Sequence, residues 1–197
     1  MGTLNDDAEL LGQCHCPMGV RGRTVAALMN KHHNTLSTWG LNHVQSEPNF
    51  NILDVGCGGG KTISKLANQA VKGRVFGIDY SKDMVAYSRG ENKKLVDNGR
   101  IQLVQCSVEK LSFQEDLFDL VTAIETYYFW SNLQEAFNEI KRVLKPTGTL
   151  LIISEMIKDG KYEKENAQMI VKSKVNLVSL QQIKDLLYSA GFLKLKS

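Results

Sequence analysis

Two aspartates and a cluster of glycines hold the densest chemical potential in this sequence. Asp54 opens the segment Asp54-Val55-Gly56-Cys57-Gly58-Gly59-Gly60-Lys61-Thr62. Glycine adopts positive φ freely and lets a ligand approach the backbone closely. A second acid, Asp79, stands in Gly77-Ile78-Asp79-Tyr80-Ser81. A carboxylate there can accept two hydrogen bonds from a ribose diol, each contributing roughly 1.5–3 kcal/mol when charge-assisted. The plainer role for Asp79 is a helix cap, although Ser81 already offers one. A third acid, Glu125, follows the apolar run Phe118–Ile124. A carboxylate at a strand tip is rarely needed for packing. The aromatic stretch Tyr127-Tyr128-Phe129-Trp130 comes next. Its rings can attract a cation by roughly 0.5–2 kcal/mol, or they can simply be core.

These residues need elements to place them. The pattern predicts a helix over Gly19–Leu41, with Val25, Leu28, Met29, Leu36 and Trp39 available for an apolar face. From Asn51 onward strand and helix signals alternate, as in a parallel α/β sheet. Strands are predicted at Asn51–Val55, Arg74–Ile78, Ile101–Cys106, Phe118–Ala123, Thr149–Ser154 and Phe192–Lys196. Helices are predicted at about Lys61–Gln69, from Ser81 to Asn98-Gly99, at Leu133–Leu144 before Pro146, and at Leu180–Ser189. Ser179 and Gln182 form a capping box for the last of these. Several strands are continuous apolar runs, so helices are expected on both faces of a doubly wound, mainly parallel sheet. Such sheets bind ligands beyond the carboxyl ends of their strands. Asp54, Asp79 and Glu125 all lie there.

The glycine segment admits three ligand readings and one without a ligand. Gly60-Lys61-Thr62 matches the tail of a P-loop, but Val55 stands where its first glycine belongs. A dinucleotide G-x-G-x-x-G fails in both registers, because its third glycine falls on Lys61 or Ile63. G-x-G-x-G fits fully as Gly56, Gly58 and Gly60, with Asp54 two residues upstream. The remaining reading is a strand-to-helix turn with no ligand.

The third pattern resembles motif I of class I S-adenosylmethionine-dependent methyltransferases, in their type 11, small-molecule branch. The likeness runs over about residues 50–155. In it Asp79 corresponds to the motif II acid, and Arg142-Val143-Leu144-Lys145-Pro146-Thr147-Gly148-Thr149-Leu150, from the end of the fourth helix onward, to a structural landmark. The resemblance implies a Rossmann-like methyltransferase fold, its final antiparallel strand missing from this sequence. It implies that S-adenosyl-L-methionine is the cofactor, with Asp54 facing its ammonium and Gly56, Cys57, Gly58 and Gly60 forming the loop. Asp79 would clasp the ribose, and Tyr80 and Met84 would pack near the adenine. Ser107, Val108 and Glu109 would meet the adenine edge, and Ala123 and Ile124 would line the cofactor. Ser107 stands where relatives commonly have aspartate. Catalytic candidates are Glu125, Tyr127 and Tyr128, with an N-terminal histidine as another source of a base. The reaction implied is in-line methyl transfer to a small molecule. The alternatives are a cofactor-binding module without turnover and a nicotinamide-dependent oxidoreductase. Residues 1–48 would form a helical lid on the substrate side, and residues 49–197 the cofactor-binding domain.

Composition bounds the partners. The chain has 197 residues, 24 basic and 21 acidic, for a net charge of +3. That suits one domain and gives no reason to expect a nucleic-acid or membrane partner. No apolar run approaches the ~20 residues of a membrane helix, and the polar start is no signal peptide, so cytoplasmic residence is expected. Cys14-His15-Cys16 lacks the second ligand pair of a zinc site, so no metal is expected and the cysteines read as free thiols. A sheet ending without its last strand leaves an open edge, which invites pairing with a second copy.

Overall fold

The computed structural model describes residues 17–160, 163, 167–173 and 175–196. Cys14, His15 and Cys16 lie outside the described residues. The elements in chain order are α1 (Gly19–Leu41), β1 (Asn51–Val55), α2 (Lys61–Gln69), β2 (Arg74–Asp79), α3 (Lys82–Glu91), α4 (Lys93–Asp97), β3 (Ile101–Gln105), β4 (Phe118–Ile124), α5 (Leu133–Val143), β5 (Leu144–Ile153), α6 (Ala167–Ser173) and α7 (Leu180–Ser189). The five strands form one parallel sheet in the order β3-β2-β1-β4-β5. The chain runs outward from β1 to β3, then returns to build β4 and β5 on the other side. The switch in direction falls between β1 and β4, where doubly wound sheets open a crevice.

Alternate side chains of each central strand enter different cores. Ile52, Val75 and Leu120 join Ile63, Leu66 and Val85 of α2 and α3 on one face. Leu53, Phe76 and Val121 join Phe137, Ile140 and Ile183 of α5 and α7 on the other. Both faces are therefore covered, which explains the unbroken apolar runs. β3 is an edge strand, and its residues alternate between buried and accessible.

Several elements depart from the sequence reading. Residues Phe192–Lys196, expected as a sixth strand, lie outside the sheet. The helix expected from Ser81 to Asn98 breaks at Asn92, whose amide turns inward to donate to Ser88 O at 2.9 Å and Gly60 O at 3.1 Å. β5 begins at Leu144 and runs through Pro146. Proline is tolerated because β5 is the other edge strand and its register slips between Phe118 and Leu120. On α1, Val25 is buried but Leu28 and Trp39 are more than half exposed, so the apolar face inferred from spacing is only partly the buried one. α6 has no counterpart in the sequence reading.

One polar contact closes the far end of α2. Arg100, just before β3, donates to Ala67 O at 3.0 Å, Ala70 O at 2.6 Å, Val71 O at 2.6 Å and Gly73 O at 3.0 Å. Ala67 O is a carbonyl of the helix's last turn and the other three belong to the turn that follows, so the guanidinium ties both together and meets the negative end of the helix dipole. Arg100→Met is expected to lower stability by about 2 kcal/mol, read as a lower urea midpoint at unchanged slope. An unchanged midpoint would show that water replaces the guanidinium at no cost.

Candidate active site

The tips of β1, β2 and β4 and the segment after β3 surround a cavity of about 260 Å³. Its floor is the glycine segment. Gly56, Gly58 and Gly60 have φ of +69°, +48° and +79°, the left-handed region that favours glycine. A Cβ on Gly56 would collide with the Thr126 side chain. Gly60 uses its left-handed backbone to start α2.

Asp54 is buried, and its Oδ1 accepts from Thr122 Oγ1 at 2.6 Å. Burial pushes its carboxyl up to about 7, against the opposing effect of the Thr122 hydrogen bond. Asp79 is held at both oxygens. Oδ2 accepts from Gly58 N–H at 2.9 Å, and Oδ1 accepts from Ser81 N–H at 2.8 Å. Burial raises its carboxyl too, while the two amides pull it down. Ser81 also caps α3 by accepting from Met84 N–H, so the capping role falls to the serine.

The segment after β3 contributes Cys106, Ser107, Val108 and Glu109 to the cavity wall. Ser107 donates to Glu109 Oε2. Glu109 Oε1 accepts from Ser131 N–H at 2.8 Å, anchoring the start of the α5 region. At the β4 tip, Glu125 has φ +53°, an uncommon conformation for a residue with a side chain. Its carboxylate is buried, accepting from Tyr128 Oη at 2.8 Å and from Glu155 N–H at 2.5 Å. Burial raises its carboxyl above the ordinary value, against both hydrogen bonds.

Of the residues singled out from sequence, Asp54, Gly56, Cys57, Gly58, Asp79, Tyr80, Met84, Ser107, Val108, Glu109, Ile124 and Glu125 all line this one cavity. Gly60, Ala123, Tyr127 and Tyr128 do not. Ala123 is buried in the sheet core. Tyr127 donates to Met156 O at 2.7 Å, and burial pushes its hydroxyl up to about 12. Tyr128 meets the cavity wall through its bond to Glu125 and its ring contact with Phe129, centroids 4.7 Å apart.

The sequence reading expected a helical lid here but did not say which of its side chains close the cavity. α1 lies across the loop, and its Met29, Asn30, His33 and Ser37 complete the wall. Asn30 Nδ2 donates to Gly59 O at 3.1 Å. Lys65 of α2 donates to Asn34 O at 2.6 Å, Ser37 Oγ at 2.8 Å and Thr38 Oγ1 at 2.7 Å, pinning α1 from below. The available signal was the placement of polar residues at 30, 33 and 37 on a helix side that otherwise buries Val25, Ala26 and Leu41.

A family model described as methyltransferase domain matches residues 53–152, which is more than half of the chain. The chain belongs to the class I S-adenosylmethionine-dependent methyltransferase family. Among curated methyltransferases, it is 29% identical over 155 residues to an O-methyltransferase of Pyrenophora dematioidea, covering 77% of this chain and 57% of the relative. It is 31% identical over 125 residues to a sterol 4-C-methyltransferase of Caenorhabditis elegans, covering 61% of this chain and 35% of the relative. The chain thus spans about half, or less, of the length of these relatives. A solved geranyl diphosphate C-methyltransferase from Streptomyces coelicolor superposes with a TM-score of 0.72 at 17% identity, over 92% of this chain and 68% of that one. The methyltransferase fold accounts for the position of the cavity, at the strand ends beside the switch point.

Gly56→Ala tests the floor of this cavity. Left-handed backbone alone costs roughly 1–2 kcal/mol for a residue with a Cβ, and the collision with Thr126 adds to it. A clear drop in Tm is expected; an unchanged Tm would mean the loop relaxes freely.

Proposed function

We propose that this chain binds S-adenosylmethionine in the cavity and transfers its methyl group to a small-molecule acceptor. The observation that carries the proposal is the convergence of Asp54, the glycine segment and Asp79 on one space. The donor set suits this cofactor. A buried carboxyl near neutrality in its proton affinity can become the partner of an ammonium. The start of α2, with Lys61 and Thr62 on the wall, offers N–H groups and a cation to a carboxylate. Asp79, anchored by two amides, keeps lone pairs for a ribose diol. Met84, Val108 and Ile124 supply apolar wall, with Tyr80, Ser107 and Glu109 at the adenine edge. Gly60 and Ala123 act here by shaping the loop and strand rather than by contact.

When bound, the cofactor supplies a methyl group already activated on a sulfonium. The protein's task is then to orient the acceptor and exclude water; such positioning contributes roughly 7–11 kcal/mol at best. α1 is positioned for both tasks, and we read the expected lid of residues 1–48, of which 1–16 lie outside the described residues, as the substrate side of a domain spanning 49–197. Glu125 is the candidate to touch the acceptor, with Tyr128 as its positioning residue; Tyr127 has no such role. The likeness to O- and sterol C-methyltransferases supports a small organic acceptor. No helix among the described residues is long and apolar enough to cross a membrane. We further read the protein as cytoplasmic, which the free thiols of Cys57 and Cys106 support. The outer edge of β5, paired among the described residues with β4 alone, is where a second copy would attach.

Two measurements check the cofactor assignment. Asp79→Ala is expected to weaken calorimetric binding of S-adenosylhomocysteine at least tenfold; retained affinity would count against the reading. The second is pH dependence. Asp54 is raised from 3.8 to about 7 in the folded protein, so below neutrality it is largely a neutral acid and a poor partner for an ammonium. Affinity should therefore tighten from pH 6 to pH 8 and then level off. The ligand-free protein should behave oppositely. The stabilisation from Asp54's raised proton affinity is full below about 4 and fades as pH rises through about 7. In Asp54→Asn both trends should flatten.

A further inference from the structure

We propose that His33, on the inner side of α1, is the general base that takes the proton from a hydroxyl-bearing methyl acceptor. This rests on the methyl-transfer reading above and assigns its acceptor class, an alcohol or a phenol.

The argument begins with the helix. The side of α1 that faces the protein buries Val25, Ala26 and Leu41, yet its middle turns present Asn30, His33 and Ser37 to the cavity. Residues three and four apart share a helix face, so these three form one polar stripe. Two of them are committed. Asn30 donates to Gly59 O, and Ser37 donates to Asn34 O at 3.2 Å while accepting from Lys65. The His33 imidazole has no hydrogen bond to any described residue; its ring meets only the edge of His32, with centroids 5.2 Å apart.

The other histidines are placed elsewhere. His32 is 72% exposed and lies 3.6 Å from Glu155. His43 bonds Trp39 O at 2.9 Å and packs on the Trp39 ring. His15 lies outside the described residues. The carboxylates of the cavity are each already hydrogen-bonded: Asp54 by Thr122, Asp79 by two amides, Glu109 by Ser131 and Glu125 by Tyr128 and Glu155. Among the described residues, His33 is the histidine of the wall, and no described group occupies its acceptor nitrogen.

Its electrostatic setting favours the basic form. The charged groups around it are His32 on its own helix, Glu155 after β5, and Glu125 and Lys61, which share the cavity. Burial and the neighbouring His32 lower its proton affinity, with Glu155 opposing, so the ring is neutral at pH 7. In the step itself, the acceptor O–H bond breaks and its proton moves to the open ring nitrogen. The oxygen pair forms the bond to the methyl carbon while the carbon–sulfur pair stays with sulfur. The imidazolium afterwards releases its proton to water.

The test uses the full chain, S-adenosylmethionine labelled in its methyl group, and two acceptors. One is 4-methylphenol, un-ionised near neutral pH; the other is thiophenol, which supplies a thiolate without help. His33→Gln should lower kcat on 4-methylphenol about 100-fold, leave thiophenol within about threefold, and abolish the acidic limb of the 4-methylphenol pH profile. His32→Gln should leave all three unchanged. In the S-adenosylhomocysteine complex, adding 4-methylphenol should shift the ring-proton NMR signals of His33, a readout independent of turnover. Equal losses on both acceptors, or no NMR shift, would overturn the proposal. So would a wild-type chain that binds S-adenosylhomocysteine yet methylates neither 4-methylphenol nor a primary alcohol. Failure to bind S-adenosylhomocysteine at all would instead overturn the methyl-transfer reading.

Discussion

The Asp79 carboxylate is the tie on which the site depends. One oxygen accepts from the glycine segment after β1, the other from the turn that starts α3, and the Asp79 carbonyl accepts from Cys106 N–H at 3.2 Å beyond β3. Three strand ends are thereby fixed relative to one another by a single residue. Desolvation works against keeping that carboxylate charged, and the two amides work for it. Hydrogen bonds to an ionised acceptor are roughly twice as strong as neutral ones, which is why a charge is worth burying here. The left-handed glycines are the other half of the same constraint. They turn the Gly58 N–H toward Asp79 while keeping Cβ atoms out of the space below Thr126.

The roof is held by a different kind of force. α1 has apolar residues on both sides, and Leu28 and Trp39 point away from the protein. Its docking relies heavily on polar contacts: Asn30 to Gly59, Lys65 to three α1 acceptors, Ser81 Oγ to Pro17 O at 2.7 Å, and Gly19 N–H to Asp83 Oδ2 at 2.6 Å. Each such bond contributes a modest net amount because water competes for both partners. An element attached this way can separate at lower cost than one attached by a continuous apolar stripe. That suits a roof over a site that must admit and release ligands.

The sheet and the two aspartates were legible in the sequence because their signals are local. A β-strand shows as an apolar run, a strand-to-helix turn as glycines, and a capping box as Ser179 and Gln182. What the sequence did not disclose is long-range and polar. Arg100 closing α2, Lys65 under α1 and Asn30 on Gly59 join segments 27 to 33 positions apart, and no periodicity marks a hydrogen bond at such separation. The error at Phe192–Lys196 has a related cause. Alternating Leu and Lys read as a strand, but a strand exists only with a neighbour to pair with, and β5 does not take that role. Trp39 misled in the same way, since helical spacing gives a face but not its partner.

The distribution of charge around the cavity fits the chemistry proposed for it. A sulfonium loses its positive charge as its methyl leaves, so an anion directly against it would stabilise the starting state more than the transition state and slow the reaction. The two acids carried by the glycine side stand at the tips of β1 and β2, where an ammonium and a diol can use them without that penalty. The β4 side instead presents Ile124, Phe129 and Trp130. Its one acid, Glu125, is tempered by a raised proton affinity and by bonds from Tyr128 and Glu155. A neutral imidazole on α1 completes that side with a group that can accept a proton without adding negative charge. Binding by carboxylates on one half, and a neutral base beside a hydrogen-bonded acid on the other, is an arrangement that suits methyl transfer from a cation.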